Sequence, residues 1–241
     1  MADKHPVVSS AEWLEARRAL LAKEKEFTQL RDELSAARRG LPWERVEKQY
    51  VFDGPNGQET LVQLFAGRSQ LIVYHFMFAP DWEEGCPSCS WWADNFERNV
   101  GHLVYRDVTM VAISRAPLGK LEAFKKLKGW TFKWLSSDGG EFNHDYRVSF
   151  RAEALASGPV DYNYRQLKTT MSDLPGISVF YRDADDTIYH TYSCYSRGLD
   201  MLNAGYHYLD LVPKGRDEDA LPYKMAWVRE RDKYGGADSS S

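Results

Sequence analysis

From Ser9 to Gly40 the apolar positions are sparse and regular. Trp13, Leu20, Phe27 and Leu34 fall every seven residues, and Ala16, Leu30 and Ala37 fill most of a second row that Lys23 interrupts. Charged residues occupy most other positions, so the pattern writes one narrow apolar stripe along a long helix. Ser9-Ser10-Ala11-Glu12 offers a capping box at its start, and Arg38-Arg39-Gly40 a cationic stop at its end. The stripe suits a helix laid across its own domain. It also suits packing on a second copy, so a homodimer through this helix is one expectation.

Past Leu41-Pro42-Trp43 the texture changes. Val46 to Phe52 and Thr60 to Phe65 flank Asp53-Gly54-Pro55-Asn56-Gly57 and predict a hairpin. Leu71 to Phe78 is a continuous apolar run, which predicts a strand buried on both faces. Ser90 to about Val100 lacks Gly and Pro and predicts a helix. Val108 to Ile113 is a second apolar strand, and Leu118 to Lys128 a helix with Leu118, Leu121, Phe124 and Leu127 on one face. This βαβα centre implies parallel strands joined by right-handed crossovers.

Trp130 to Leu135 alternates like a strand, and Ser136 to Gly140 turns. Phe150 to Asp173 has no clean period and is expected to be an insertion, as a lid or contact loop. Leu174-Pro175-Gly176 then opens a strand through Arg182. Asp183 to Asp186 makes a turn, Thr187 to Ser193 a returning strand, and Leu199 to Leu211 a last helix. The chain is therefore expected to comprise a helical extension over 1–45, a domain over 46–211 and a charged tail over 212–241. Gly235 to Ser241 is expected to be disordered.

Composition narrows the function. The 241 residues carry a formal charge of −4, which supplies no basic field for nucleic acid or an anionic membrane. No window approaches a membrane span, and the opening residues lack the pattern of a secretory leader, so a soluble cytoplasmic protein is expected. Three cysteines do not make a structural disulfide framework. Two of them lie in Gly85-Cys86-Pro87-Ser88-Cys89, between the buried strand and the following helix. In a reducing compartment so close a pair points to redox chemistry or metal binding. A structural zinc site wants four ligands, and there is no second cysteine pair to complete one, so no metal or other cofactor is expected.

The order of elements, with Cys-x-x-Cys at the first strand-to-helix junction and a Pro-led strand, turn, strand and helix later, resembles the thioredoxin-like superfamily. Leu64-Phe65-Ala66-Gly67-Arg68, His75-Phe76-Met77-Phe78, Trp134-Leu135-Ser136-Ser137-Asp138 and Phe142-Asn143 resemble a bacterial branch described as predicted dithiol-disulfide isomerases of unknown function. The resemblance implies an α/β, three-layer fold with a central mixed sheet, and a thiol–disulfide oxidoreductase acting on a disulfide-containing protein or a small thiol. It makes Cys86 the attacking thiol and Cys89 the resolving one. Pro175 would match the superfamily's cis-proline, which sits beside the dithiol and presents backbone to an extended substrate, with Leu174 before it.

Chemistry agrees with that placement. Exchange requires a thiolate, and a helix N-terminus aims unpaired N–H groups and a positive dipole end at a cysteine placed there. Pro87 suits the first turn, where no N–H bond is lost. Asp81, Glu83 and Glu84 work the other way if they face the sulfur. Trp82, Trp91 and Trp92 could ring the site or simply fill the core. His75 reads as a hydrogen-bonded core histidine and Cys194 as packing. Val46 to Phe78 also resembles the opening of a peroxiredoxin, but Pro80 stands one residue too close to Cys86, and Glu83 occupies that family's Thr/Ser position. The remaining alternative is an interaction scaffold in which the dithiol is vestigial.

Overall fold

The computed structural model describes residues 5–234, so Gly235 to Ser241 lie outside the described residues. The chain divides between Pro42 and Trp43 into two compact units. The first contains one helix, α1 (Ser10–Arg39). Its capping box forms as expected: the Ser9 hydroxyl accepts from the Glu12 N–H at 3.3 Å, and the Glu12 carboxylate accepts from the Ser9 N–H at 2.9 Å. None of its residues is buried, and Trp13, Phe27 and Leu30 are 58%, 65% and 61% exposed.

The second unit begins with β1 (Glu44–Arg45), β2 (Val51–Gly54), β3 (Gly57–Thr60), α2 (Leu61–Leu64) and β4 (Gln70–His75). Next come α3 (Pro87–Glu97), α4 (Val100–Val104), β5 (Val108–Ser114), α5 (Leu118–Lys128), β6 (Lys133–Ser136) and α6 (Phe142–Asp145). The expected insertion holds α7 (Ala152–Ser157), β7 (Val160–Tyr162) and β8 (Arg165–Leu167). The chain then forms β9 (Gly176–Arg182), β10 (Ile188–Tyr195), a 3-10 segment (Ser196–Leu202) and α8 (Ala204–Leu209).

Eight strands form one mixed sheet in the order β1-β10-β9-β4-β5-β6-β2-β3. β4, β5 and β6 run parallel, while β9 is antiparallel to β4 and to β10. The core is therefore a β4–α3–β5 unit extended by a β9–β10 hairpin, which is the thioredoxin-like arrangement.

Alternation decides which side each residue serves. Tyr74, Met110, Ala112 and Trp134 pack with α3 and α5, whereas Leu71, Val73, Val111, Ile113 and Leu135 pack on the opposite face with α2 and α6. Burial on both faces explains why β4 and β5 read as unbroken apolar runs. Each fully buried Leu, Val or Phe of this kind contributes about 1.5–3 kcal/mol.

Several expectations change. The hairpin forms, but Leu61–Leu64 is a helical turn and not a returning strand. The reason is local: Thr60 and Gln63 make a capping box, with the Thr60 N–H donating to the Gln63 side chain at 2.7 Å. The expected last helix is broken at Asn203, whose side chain accepts from the Gly205 N–H at 2.9 Å and starts α8 afresh. On α5, Leu127 is exposed and Lys128 is buried. Within the described part of the charged tail, Glu218, Val228 and Glu230 are buried.

Candidate active site

β4 ends at His75, but the chain continues buried through Phe76, Met77, Phe78 and Ala79 before looping back to Cys86. That loop can close because residue 85 is glycine: a Cβ there would stand 2.8 Å from the Phe76 ring. The Cys86 N–H donates to the Met77 carbonyl at 3.1 Å, and the Met77 N–H donates to the Cys89 sulfur at 3.5 Å. Cys86 is the N-cap of α3 with extended φ/ψ of −61° and 126°, and Pro87 is the first helical residue. The Cys86 carbonyl accepts from the Ser90 N–H at 2.9 Å and from its hydroxyl at 3.1 Å.

This placement separates the two thiols electrically. The Cys86 thiol is brought down to about 7, first by a hydrogen bond from the Cys89 side chain, against burial, and then by the N–H groups of Cys89 and Ser88 and the Ser88 hydroxyl. Burial, followed by the neighbouring Cys86, pushes the Cys89 thiol well up. The Tyr74 hydroxyl and the Met77 N–H oppose that rise by hydrogen bonding to the Cys89 sulfur. Tyr74 is fully buried and held protonated. The result is a donor series from Tyr74 to Cys89 to Cys86. Asp81, Glu83 and Glu84 are exposed, and Glu84 pairs with Lys233, so they are not among the main groups acting on the Cys86 thiol.

Cys86 opens onto a cleft of about 720 Å³ whose lining also includes the buried Cys89 and Tyr74, with Leu174, Pro175 and Tyr162. Pro87 and Trp82 lie outside that lining. Pro87 is exposed, and the half-buried Trp82 packs on the core, its carbonyl taking a hydrogen bond from Lys120 at 2.9 Å. Trp92 does line the cleft, with its Nε1–H donating to the Leu199 carbonyl at 2.9 Å, and Trp91 stands edge-on to it at 5.9 Å.

Pro175 departs from its expected geometry. No described peptide bond is cis, so Pro175 follows the ordinary trans bond. Its neighbourhood is fixed in that form: the Leu174 N–H donates to the Val148 carbonyl at 2.8 Å, and the Pro175 carbonyl accepts from the Tyr162 hydroxyl at 2.7 Å.

The sequence did not nominate Tyr74, Tyr162, Met225 or Glu218, all of which line the cleft. For Tyr74 a signal existed, because strand parity sets it on the α3 side of β4. Tyr162 comes from the insertion, whose Phe150, Val160 and Tyr162 pack in one apolar cluster with Val148 and with Tyr195 of β10. Glu218 gathers the Tyr206 hydroxyl, the Trp227 Nε1–H and the Met225 N–H on one carboxylate oxygen at 2.7–3.0 Å. That cluster folds the C-terminal segment into a cleft wall. His75 faces away, its Nε2 2.9 Å from the Ser178 hydroxyl, and burial and then His190 lower its pKa to about 3. It is a neutral core histidine, as expected. Cys194 is buried in the same cluster as Cys89.

Residues 2–234 match the family described as "Bacterial protein of unknown function (DUF899)". The chain belongs to that family. No curated protein matches it. Among solved structures, the peroxidoxin BcpB of Mycobacterium tuberculosis is 15% identical with a TM-score of 0.47, covering 68% of this chain and 94% of its own. A cysteine variant of Xanthomonas campestris peroxiredoxin Q is 14% identical with a TM-score of 0.47, covering 70% and 98%. The reduced 2-Cys peroxiredoxin of Plasmodium vivax is 14% identical with a TM-score of 0.40, covering 70% and 94%. These likenesses are too weak to bear on the chemistry, and the fold assignment rests on the strand order above. No described helix is long and apolar enough to cross a membrane.

Proposed function

We propose that this DUF899 protein is a thiol–disulfide oxidoreductase in which Cys86 attacks and Cys89 resolves. The observation that carries the reading is the asymmetry of the pair. Cys86, at a helix N-cap and open to the cleft, has its thiol lowered to about 7, while Cys89 is buried one turn on and held as a thiol.

In the forward direction the Cys86 thiolate attacks one sulfur of a substrate disulfide. A Cys86–substrate disulfide forms, the substrate S–S bond breaks, and the first half leaves as a thiolate that takes a proton from solvent. Loss of the Cys86 charge removes one of the influences that keep Cys89 protonated. Cys89 gives its proton to solvent, and its thiolate, receiving the Tyr74 O–H and the Met77 N–H, attacks the Cys86 sulfur. The second half leaves, takes up a proton, and the Cys86–Cys89 disulfide remains. Two protein thiols are oxidised and one substrate disulfide is reduced to two thiols.

The test has two readouts on one preparation. Mass analysis after mild oxidation should find a Cys86–Cys89 disulfide, and Cys86→Ser should abolish reduction of a disulfide substrate. Equal activity in Cys86→Ser would remove Cys86 as the nucleophile, and a pair that never oxidises would remove the function.

A further inference from the structure

The proposed chemistry leaves open which disulfides reach Cys86, and the backbone before β9 bears on that question. A polypeptide docking in extended form needs a run of free N–H and C=O groups with which to pair. Here those groups are already committed. The Leu174 N–H bonds to the Val148 carbonyl, Pro175 has no N–H, and the Pro175 carbonyl is held by the Tyr162 hydroxyl. Gly176 sits between Tyr195 of β10 and His75 of β4 in the sheet. From the Leu174 N–H to the Pro175 carbonyl, the Leu174 carbonyl alone has no hydrogen-bond partner among the described residues, and one acceptor does not make a strand pair.

The walls point the same way. Tyr162 and Leu167 of the β7–β8 hairpin line the cleft, as do Ser196, Leu199 and Met225 from the C-terminal part of the chain. Cys86 itself is only partly exposed. The volume of about 720 Å³ lies within the range typical of small-molecule sites. Charged groups of both signs line it: Arg165 and Lys214 have no acidic partner, and Asp217 no basic partner, among the described residues. Arg216 and Lys224, also in the lining, are already paired with Asp200 and Asp219.

We propose that the substrates of this site are low-molecular-weight disulfides carrying both ammonium and carboxylate groups, and not extended polypeptides. This rests on the dithiol chemistry proposed above. The overall exchange is the one already written, with the reduced pair as electron donor, so a single turnover needs no further reductant.

The experiment mixes the pre-reduced, full-length protein with cystine, with hydroxyethyl disulfide or with insulin, and follows loss of alkylatable Cys86 and Cys89. Each rate is divided by that of dithiothreitol with the same disulfide, which removes intrinsic reactivity. The expected normalised rate for cystine exceeds that for insulin by about tenfold or more, with the neutral hydroxyethyl disulfide between them. A normalised insulin rate equal to or above that of cystine overturns the proposal while leaving the oxidoreductase intact. Equal normalised rates for cystine and hydroxyethyl disulfide overturn the charged-group requirement. Oxidation of the pair by none of the three overturns the oxidoreductase reading together with the proposal.

Discussion

Met77 holds both cysteines through one peptide unit on either side: its carbonyl accepts from the Cys86 N–H at 3.1 Å, and its own N–H donates to the Cys89 sulfur at 3.5 Å. The buried segment just after β4 thus ties both cysteines of the dithiol to the end of the strand. Cys86 is left as the N-cap facing the cleft, and Cys89 as its buried donor.

The first prediction concerns pH. A thiol lowered to about 7 is half ionised near neutrality, so alkylation of Cys86 by iodoacetamide should rise with pH about a midpoint near 7. Reactivity falls below that midpoint as the thiolate is protonated. Cys89→Ala removes the largest contribution to the lowering, and the midpoint should move upward toward the ordinary thiol value of ~8.5. At pH 7 that variant should alkylate more slowly, by up to about tenfold. An unmoved midpoint would show that the Cys89 side chain does not stabilise the thiolate.

The second prediction concerns Tyr74. Its hydroxyl hydrogen-bonds to the Cys89 sulfur, and it is not among the main groups that lower the Cys86 thiol. Tyr74→Phe keeps the ring in the core and removes only that donor. A hydrogen bond to a charged group contributes about 1.5–3 kcal/mol, so resolution of the mixed disulfide should slow by about ten- to a hundredfold. Rapid-quench mass analysis should show the Cys86–substrate adduct accumulating, with the first step and the Cys86 alkylation midpoint unchanged. Slowing of both steps together would indicate a general packing defect.

Much of this site is legible in the sequence. The apolar run ending at Phe78, the Cys-Pro-Ser-Cys junction and the Pro-led strand at Gly176 fall where strand parity and helix start signals place them. What escaped was set by contacts between segments distant in sequence. Tyr162 matters because its hydroxyl reaches the carbonyl of Pro175, and Glu218 because Tyr206, Met225 and Trp227 converge on it. Neither relationship has a period or a motif. The acidic run before Cys86 left two alternatives, because adjacency in sequence does not say where a side chain faces; Asp81, Glu83 and Glu84 are exposed, which selects the one with little effect on the thiol. Thr60 to Phe65 read as a strand because its apolar residues are compatible with one, and the Thr60–Gln63 cap overrode that preference.

A third prediction follows from the support beneath Leu174. Asp173 is buried and takes the Arg115 guanidinium through Nε at 2.9 Å and through Nη2, with the Ser149 hydroxyl at 2.6 Å. The hydrogen bond with Asp173 raises the pKa of Arg115 against the effect of burial, so the guanidinium stays charged. Asp173→Asn leaves that charge largely buried without its counter-ion and should destabilise the protein by about 3–5 kcal/mol in urea unfolding. Arg115→Lys keeps the charge but loses the bidentate fork, and should cost less. Equal losses in the two variants would mean that the geometry of the fork, and not the buried charge, carries the energy.

The last prediction concerns the C-terminal segment, whose Met225 and Glu218 line the cleft. Lys128, at the end of α5, is 6% exposed and lies between Glu230, 1% exposed, and Asp232, whose carboxylate it meets at 2.5 Å. Burial works against the charge on Lys128, and the two carboxylates outweigh it, so its pKa is raised. A pair this dry gives little net stability over apolar side chains of the same shape, yet breaking it is costly. Lys128→Met should therefore lose about 3–5 kcal/mol, because the Glu230 carboxylate stays buried without its cation. The double variant Lys128→Met/Glu230→Leu should recover most of that loss. Urea midpoints of the two variants measure the difference, and limited proteolysis should cut between Lys214 and Lys233 faster in the single variant than in the double. If the double variant is no more stable than the single, the ion pair contributes through its geometry, and the segment depends on it for more than charge balance.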